Sequence, residues 1–290
     1  MPVFLTLGLL LICLGTPPFP WTSATVQADY EALVAAELGF AQMALDRGIR
    51  DAFVENLDEQ SVIFIKNRFL PGKSTYQRLP PSSGRLTWRP NYAEISASGT
   101  MGFTTGPFEF RPRTMDEDPV SYGQFTSVWH KTAAGDWKAL IDFGCTHAKP
   151  DQPVAALQMP GQFGVKTNTV LDTTKTGREL RQAETEFIRL AHSQSLRGAY
   201  QAVLPASDSV RLLREGNPVY TGTVAREKAA SSNQKIDFQL VQVMTASSGD
   251  FGFTYGYATI GQIRNGYLRI WRKRQGAWQL AHEVLGVQLM

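Results

Sequence analysis

Ser98-Gly99-Thr100-Met101-Gly102-Phe103-Thr104-Thr105-Gly106 and Ser248-Gly249-Asp250-Phe251-Gly252-Phe253-Thr254-Tyr255-Gly256 decide how this chain is built. They lie 150 residues apart and share six of nine residues. Upstream, Ala36-Glu37-Leu38-Gly39-Phe40 is matched by Ala183-Glu184-Thr185-Glu186-Phe187, and Ala52-Phe53 by Ala199-Tyr200, both at an offset of 147. Downstream, Trp129-His130-Lys131 is matched by Trp271-Arg272-Lys273, and Gly135-Asp136-Trp137 by Gly276-Ala277-Trp278. Five matches in one order, with small length changes between them, are the mark of an internal duplication.

Each copy carries the same elements. Leu33, Ala36, Phe40, Met43 and Ala44 recur near helical spacing, as do Phe187, Leu190 and Ala191. A second short helix holds Ala52-Phe53 or Ala199-Tyr200. The remainder is strand-like and ends in a hairpin: Phe125–Lys131, a Gly-containing turn and Trp137–Phe143, repeated as Tyr267–Lys273 and Trp278–Val284. Helices followed by antiparallel strands give an α+β class with the helices on one sheet face. The expected organisation is a leader over 1–28, a first domain over 29–147, a Pro-, Gly- and Thr-rich linker over 148–177 and a second domain over 178–290.

A length of 290 residues suits two domains, each large enough to bury its own core. A hydrophobic fraction of 43% with 19% charged residues is globular, and a net charge of +3 excludes the concentrated basic footprint of a nucleic-acid binder. The run Val3–Leu14 is about half of the ~20 residues that a membrane helix needs, so no stable membrane insertion is expected. With Val26-Gln27-Ala28 behind it, the run fits a signal peptide cleaved after Ala28, which makes the protein secreted or periplasmic. Cleavage there leaves Cys145 as the one cysteine, so neither an intramolecular disulfide nor a cysteine metal cluster is expected, and no metal or other cofactor is implied.

The segment Gly102–Glu109, then Gly123-Gln124-Phe125-Thr126-Ser127-Val128-Trp129, then Gly135–Asp142 resembles the domain of unknown function 4440. That family lies within the SnoaL-like, nuclear-transport-factor-2-like superfamily. The second copy resembles it more loosely, through Gly252–Gly256 and Gly266-Tyr267-Leu268-Arg269-Ile270-Trp271. The resemblance implies two tandem cone-shaped domains, in which helices cross a strongly curved antiparallel sheet and leave a pocket in its concavity. The superfamily includes isomerases, dehydratases, hydrolases and cyclases as well as non-enzymatic transport and oligomerisation domains, so fold does not decide function.

Candidate site residues follow from the alignment. Asp142 lies five residues after Trp137 and Glu283 five after Trp278, so an acid recurs at one place. Period 2 groups Asp142 with Leu140, and Glu283 with Ala281 and Leu285. A carboxylate on an apolar face must be paired or have a raised pKa, and the latter suits a general base. Trp129, Trp271, Tyr255 and Phe103 are further pocket candidates, although hairpin or core packing is the leading explanation for the tryptophans. Gly102, Gly106, Gly252 and Gly256 mark bends or close backbone approach in strands, and no phosphate-loop signature accompanies them. Three functions fit: a binder of a small apolar ligand or protein partner, a pocket enzyme of isomerase, dehydratase or hydrolase type with Asp142 as base, and a structural pseudo-dimer within one chain. No second polar group recurs beside the acid, which places the binding and structural readings ahead of the enzyme.

Overall fold

The computed structural model describes residues 25–151, 153, 155–159, 163–205 and 210–289; the leader over 1–28 falls outside them except for its last four residues. The N-terminal half runs α1 (Gln27–Arg47), α2 (Ile49–Asn56), β1 (Leu57–Ile65), β2 (Arg68–Pro71), α3 (Gly72–Arg78), β3 (Arg85–Trp88), β4 (Tyr92–Ile95), β5 (Met101–Arg111), β6 (Ser121–Lys131) and β7 (Trp137–His147). The C-terminal half runs α4 (Thr173–Ser193), α5 (Leu196–Val203), β8 (Arg211–Arg214), β9 (Tyr220–Thr221), α6 (Gly222–Ser231), β10 (Asp237–Thr245), β11 (Phe251–Ile260), β12 (Ile263–Arg274) and β13 (Ala277–Leu285). The fold is α+β, with two sheets each preceded by helices.

Strand order is β2-β1-β7-β6-β5-β3 in one sheet, with β4 also on β5, and β10-β11-β12-β13-β8-β9 in the other. Equivalent strands hold equivalent registers: Gly102 faces Trp129 as Gly252 faces Trp271, and Ser127 faces Asp142 as Arg269 faces Glu283. Pairing is antiparallel except for β1 on β7 and β8 on β13, where one parallel pair in each half departs from the all-antiparallel expectation. The curl of the sheets is visible at the glycines: a Cβ on Gly106 would lie 2.1 Å from the Arg89 carbonyl oxygen, and one on Gly256 2.1 Å from that of Gln239. A third helix in each half, α3 or α6, had no counterpart in the sequence reading; each opens on a glycine after a short strand.

The helices cover the concave faces. Leu33, Phe40 and Ala44 of α1 pack with Phe53 and Trp129, while Leu180, Phe187 and Ala191 of α4 pack with Tyr200 and Trp271. Asp172 caps α4, its carboxylate accepting from the backbone N–H of Thr174 and Lys175. The opposite sheet faces bury Phe103, Val128, Ile141 and Phe143 against Phe253, Leu268, Ile270 and Val284 in one shared apolar layer. At its edge Ser98 donates its N–H to Ser248 Oγ (3.2 Å), and the two hydroxyls meet at 3.1 Å. Ser98 and Ser248 are equivalent residues, and contact between equivalent residues is what a two-fold relation between the halves produces.

Candidate functional site

Alternation along β6 and β12 sends Phe125, Ser127 and Trp129 into the first concavity and Tyr267, Arg269 and Trp271 into the second. Thr126, Val128, Leu268 and Ile270 go into the layer between the sheets. The two concavities therefore have the same framework, and the exchange that most changes their chemistry is Ser127 against Arg269.

The first holds a cavity of about 190 Å³. Its walls are Phe53 of α2, Tyr76 of α3, Leu86 and Trp88 of β3, Phe108 of β5 and Phe125 of β6. Asp142 and Gly144 of β7 complete it. Ser127 Oγ donates to Asp142 Oδ2 at 2.9 Å. Burial and the nearby Glu37 carboxylate push Asp142 up to about 7, against the smaller opposing effect of the Ser127 hydrogen bond. Glu37 lies fully buried on α1. It accepts from Trp88 Nε1 at 2.5 Å, Thr104 Oγ1 at 2.5 Å and Trp129 Nε1 at 2.9 Å. Burial raises its pKa in spite of those three donors. Burial and the charge of Asp142 hold the Tyr76 phenol well above its ordinary value. A second cavity of about 260 Å³, bordered by Pro107, Tyr122 and His147, adjoins the first across Trp88 and Phe108.

In the second concavity Arg269 lies between two carboxylates. Its Nη1 is 2.5 Å from Glu184 Oε1 and its Nε 2.5 Å from Glu283 Oε2. Its guanidinium carbon sits 3.9, 4.2 and 4.4 Å from the ring centroids of Phe187, Phe238 and Tyr267. Arg214 pairs with Glu283 Oε1 at 2.7 Å, and Tyr200 Oη donates to the same oxygen at 2.5 Å. Thr254 Oγ1 donates to Glu184 at 2.7 Å and receives Trp271 Nε1 at 3.0 Å. Burial alone would raise Glu283, but Arg214, Arg269 and Tyr200 hold it below the usual carboxylate range. Leu285 stands where the first half has Gly144, and Val287 of the following segment packs into the same core.

The carboxylates singled out from sequence thus fall in unlike surroundings: Asp142 itself borders a cavity, whereas Glu283 is inside a buried ion-pair cluster, of which Arg214 borders a separate cavity of about 190 Å³ beside Tyr220 and Lys228. Trp129 and Trp271 sit beneath the concavities as donors to Glu37 and Thr254. Phe103 and Tyr255 lie in the layer between the sheets, Phe103 stacked on Phe251 at 6.3 Å and Tyr255 4.7 Å from the Phe69 ring. The strict period-2 grouping needs correction. A bulge falls where Val128 pairs with Ile141 but Trp129 with Ala139, so Leu140 turns to the inter-sheet layer and Asp142 shares its face with Gly144. The same bulge takes Ala281 away from Glu283.

Sequence reasoning missed Glu37, Glu184, Ser127 and Arg269. Both glutamates stand in the repeated motif three residues before a buried Phe, on the apolar helix stripe. Ser127 and Arg269 stand two residues before the repeated Trp, on its strand face. Among the described residues no group of three or more His, Cys, Asp or Glu is placed to hold a metal ion. No helix among them is long and apolar enough to cross a membrane.

No family model matches the chain, and no curated protein matches it. Solved structures similar to part of it include a ketosteroid isomerase-like protein from Erwinia carotovora atroseptica (15% identity, 43% of this chain and 99% of that chain, TM-score 0.34). Others are an NTF2-like protein of unknown function from Shewanella oneidensis (21% identity, 39% and 96%, TM-score 0.32) and an NTF2-like protein with a cystatin-like fold from Novosphingobium aromaticivorans (13% identity, 43% and 85%, TM-score 0.34).

Proposed function

We propose that this chain is an exported one-site binding protein, a tandem pair of SnoaL-like domains of the 4440 type in which only the N-terminal cone takes a ligand. The observation that carries the proposal is the pair of exchanges at equivalent positions. Ser127 and Gly144 leave a cavity over Asp142, whereas Arg269 and Leu285 fill the matching space over Glu283. The ligand is small and mainly apolar, because aromatic and aliphatic side chains form most of the cavity wall and Asp142 and Tyr76 supply the polar groups. The C-terminal cone is a structural partner that covers the outer face of the first sheet, as a second subunit would. Export removes the leader over residues 1–28 by cleavage after Ala28.

Titration with indole followed by calorimetry tests this reading. One site per chain is expected, and both Ser127→Arg and Gly144→Leu, which copy the second half, abolish it. Two equivalent sites, or full binding by both variants, would refute it. A second reading, base catalysis in the same cavity, is favoured by Asp142, whose pKa of about 7 suits proton abstraction, with the Tyr76 phenol in the same wall.

A further inference from the structure

The filled cone is an internal template for the ligand of the open one. Position by position, Glu184, Glu283, Phe187, Phe238 and Tyr267 around Arg269 correspond to Glu37, Asp142, Phe40, Trp88 and Phe125 around Ser127. In the C-terminal half the cationic group held there belongs to the protein: two carboxylates at 2.5 Å and three aromatic rings within 4.4 Å surround the Arg269 guanidinium. In the N-terminal half the two acids and the aromatic rings are retained, but the side chain that would neutralise them is a serine. No Lys, Arg or His is among the residues lining the cavity. Each acid keeps only neutral donors: the Ser127 hydroxyl for Asp142, and two indole N–H groups and a threonine hydroxyl for Glu37.

We infer that the ligand of the first cone is a small organic cation, an amidine, guanidine or amine on a compact apolar body, whose charged group sits against Asp142 and does for it what Arg269 does for Glu283, while Trp88 Nε1 already occupies Glu37. The inference rests on the one-site reading above and names the chemistry of that site. A cation beside Asp142 satisfies the carboxylate, meets the faces of Trp88 and Phe125 as Arg269 meets Phe238 and Tyr267, and offsets the negative charge shared by Glu37 and Asp142. The apolar body then points away from Asp142 toward Phe108, and a longer one continues into the adjoining cavity bordered by Pro107 and Tyr122.

The test compares benzamidine with benzamide, which has the same outline and no charge, by calorimetry on the full chain at pH 8, where Asp142 is ionised. The titratable groups facing Asp142 are Glu37 from α1 and Tyr76 from α3, and the phenol is neutral at that pH. Benzamidine is expected to bind at least tenfold more tightly than benzamide. Asp142→Asn, which keeps the shape of the site, is expected to bring the ratio close to one. If benzamide binds wild type as tightly as benzamidine, or if Asp142→Asn keeps the full preference, the cationic inference is overturned while the pocket remains a ligand site. If neither probe binds and indole fails as well, the one-site reading falls and takes this inference with it.

Discussion

Removing one carboxylate charge at the equivalent position of each half is expected to change stability in opposite directions. Glu283→Gln keeps the side-chain outline but leaves Arg214, 4% exposed, without its carboxylate, while Arg269 keeps only Glu184. Removing one partner of a buried ion pair costs about 3–5 kcal/mol. At roughly 2–4 °C per kcal/mol for a chain of this size, the melting temperature falls by about 10 °C. Asp142→Asn removes a charge that has no cationic partner. Because its folded pKa is raised from 3.8 to about 7, folding becomes less favourable as pH rises from about 4 to 7, and the loss is complete above 7. A shift of about three units corresponds to at most ~4 kcal/mol, and the opening onto the cavity reduces this to about 1–2 kcal/mol. Asp142→Asn is therefore expected to be more stable than wild type by that amount at pH 8 and equal to it near pH 4. Urea denaturation of the three proteins at both pH values measures the difference. If Asp142→Asn destabilises the protein at pH 8 as much as Glu283→Gln does, the two cones are alike and the reasoning fails.

Arg269→Ala is expected to lose roughly 3–5 kcal/mol and to regain part of it in millimolar ethylguanidinium, which fits the vacated cage, a gain larger than the one wild type shows through its first cone alone; differential scanning fluorimetry reads both. His282 lies buried between the sheets with Nε2 2.8 Å from Thr126 Oγ1, and burial together with Arg211 and Arg214 pushes its pKa well below the ordinary histidine value. Its neutral form is the folded one, so it removes stability as pH falls below about 6.5, the unfolded value. His282→Gln is expected to flatten the acid limb of a stability-against-pH curve. Gly256→Ala drives a methyl against the Gln239 carbonyl oxygen and is expected to cost about 2–4 kcal/mol in the same denaturation assay.

Much of this architecture can be read from one sequence because its repeated motifs supply their own alignment. The matched Gly102/Gly252 and Trp129/Trp271 mark equivalent register positions, and the repeated hairpins become β6–β7 and β12–β13. The recurring acid was legible for the same reason. Its two fates were not, because they depend on what stands across the sheet: Ser127 or Arg269, neighbours of Asp142 and Glu283 only after β6 pairs with β7 and β12 with β13. The face of Leu140 was misassigned because a bulge adds one residue without changing the apolar character of the strand. Glu37 and Glu184 were hidden by an ordinary rule, that a glutamate on a helix faces water; the aromatic N–H and hydroxyl donors that bury Glu37, and the arginine and hydroxyl that bury Glu184, come from distant strands.

The central claim, one open cone and one closed by its own arginine, is tested most directly by a crystal structure of the protein soaked with benzamidine. The account predicts a single molecule per chain, its amidinium within hydrogen-bond distance of Asp142 between Trp88 and Phe125, and none near Glu283. A molecule bound beside Glu283 with Arg269 displaced, or an empty first cone at saturating concentration, would contradict it.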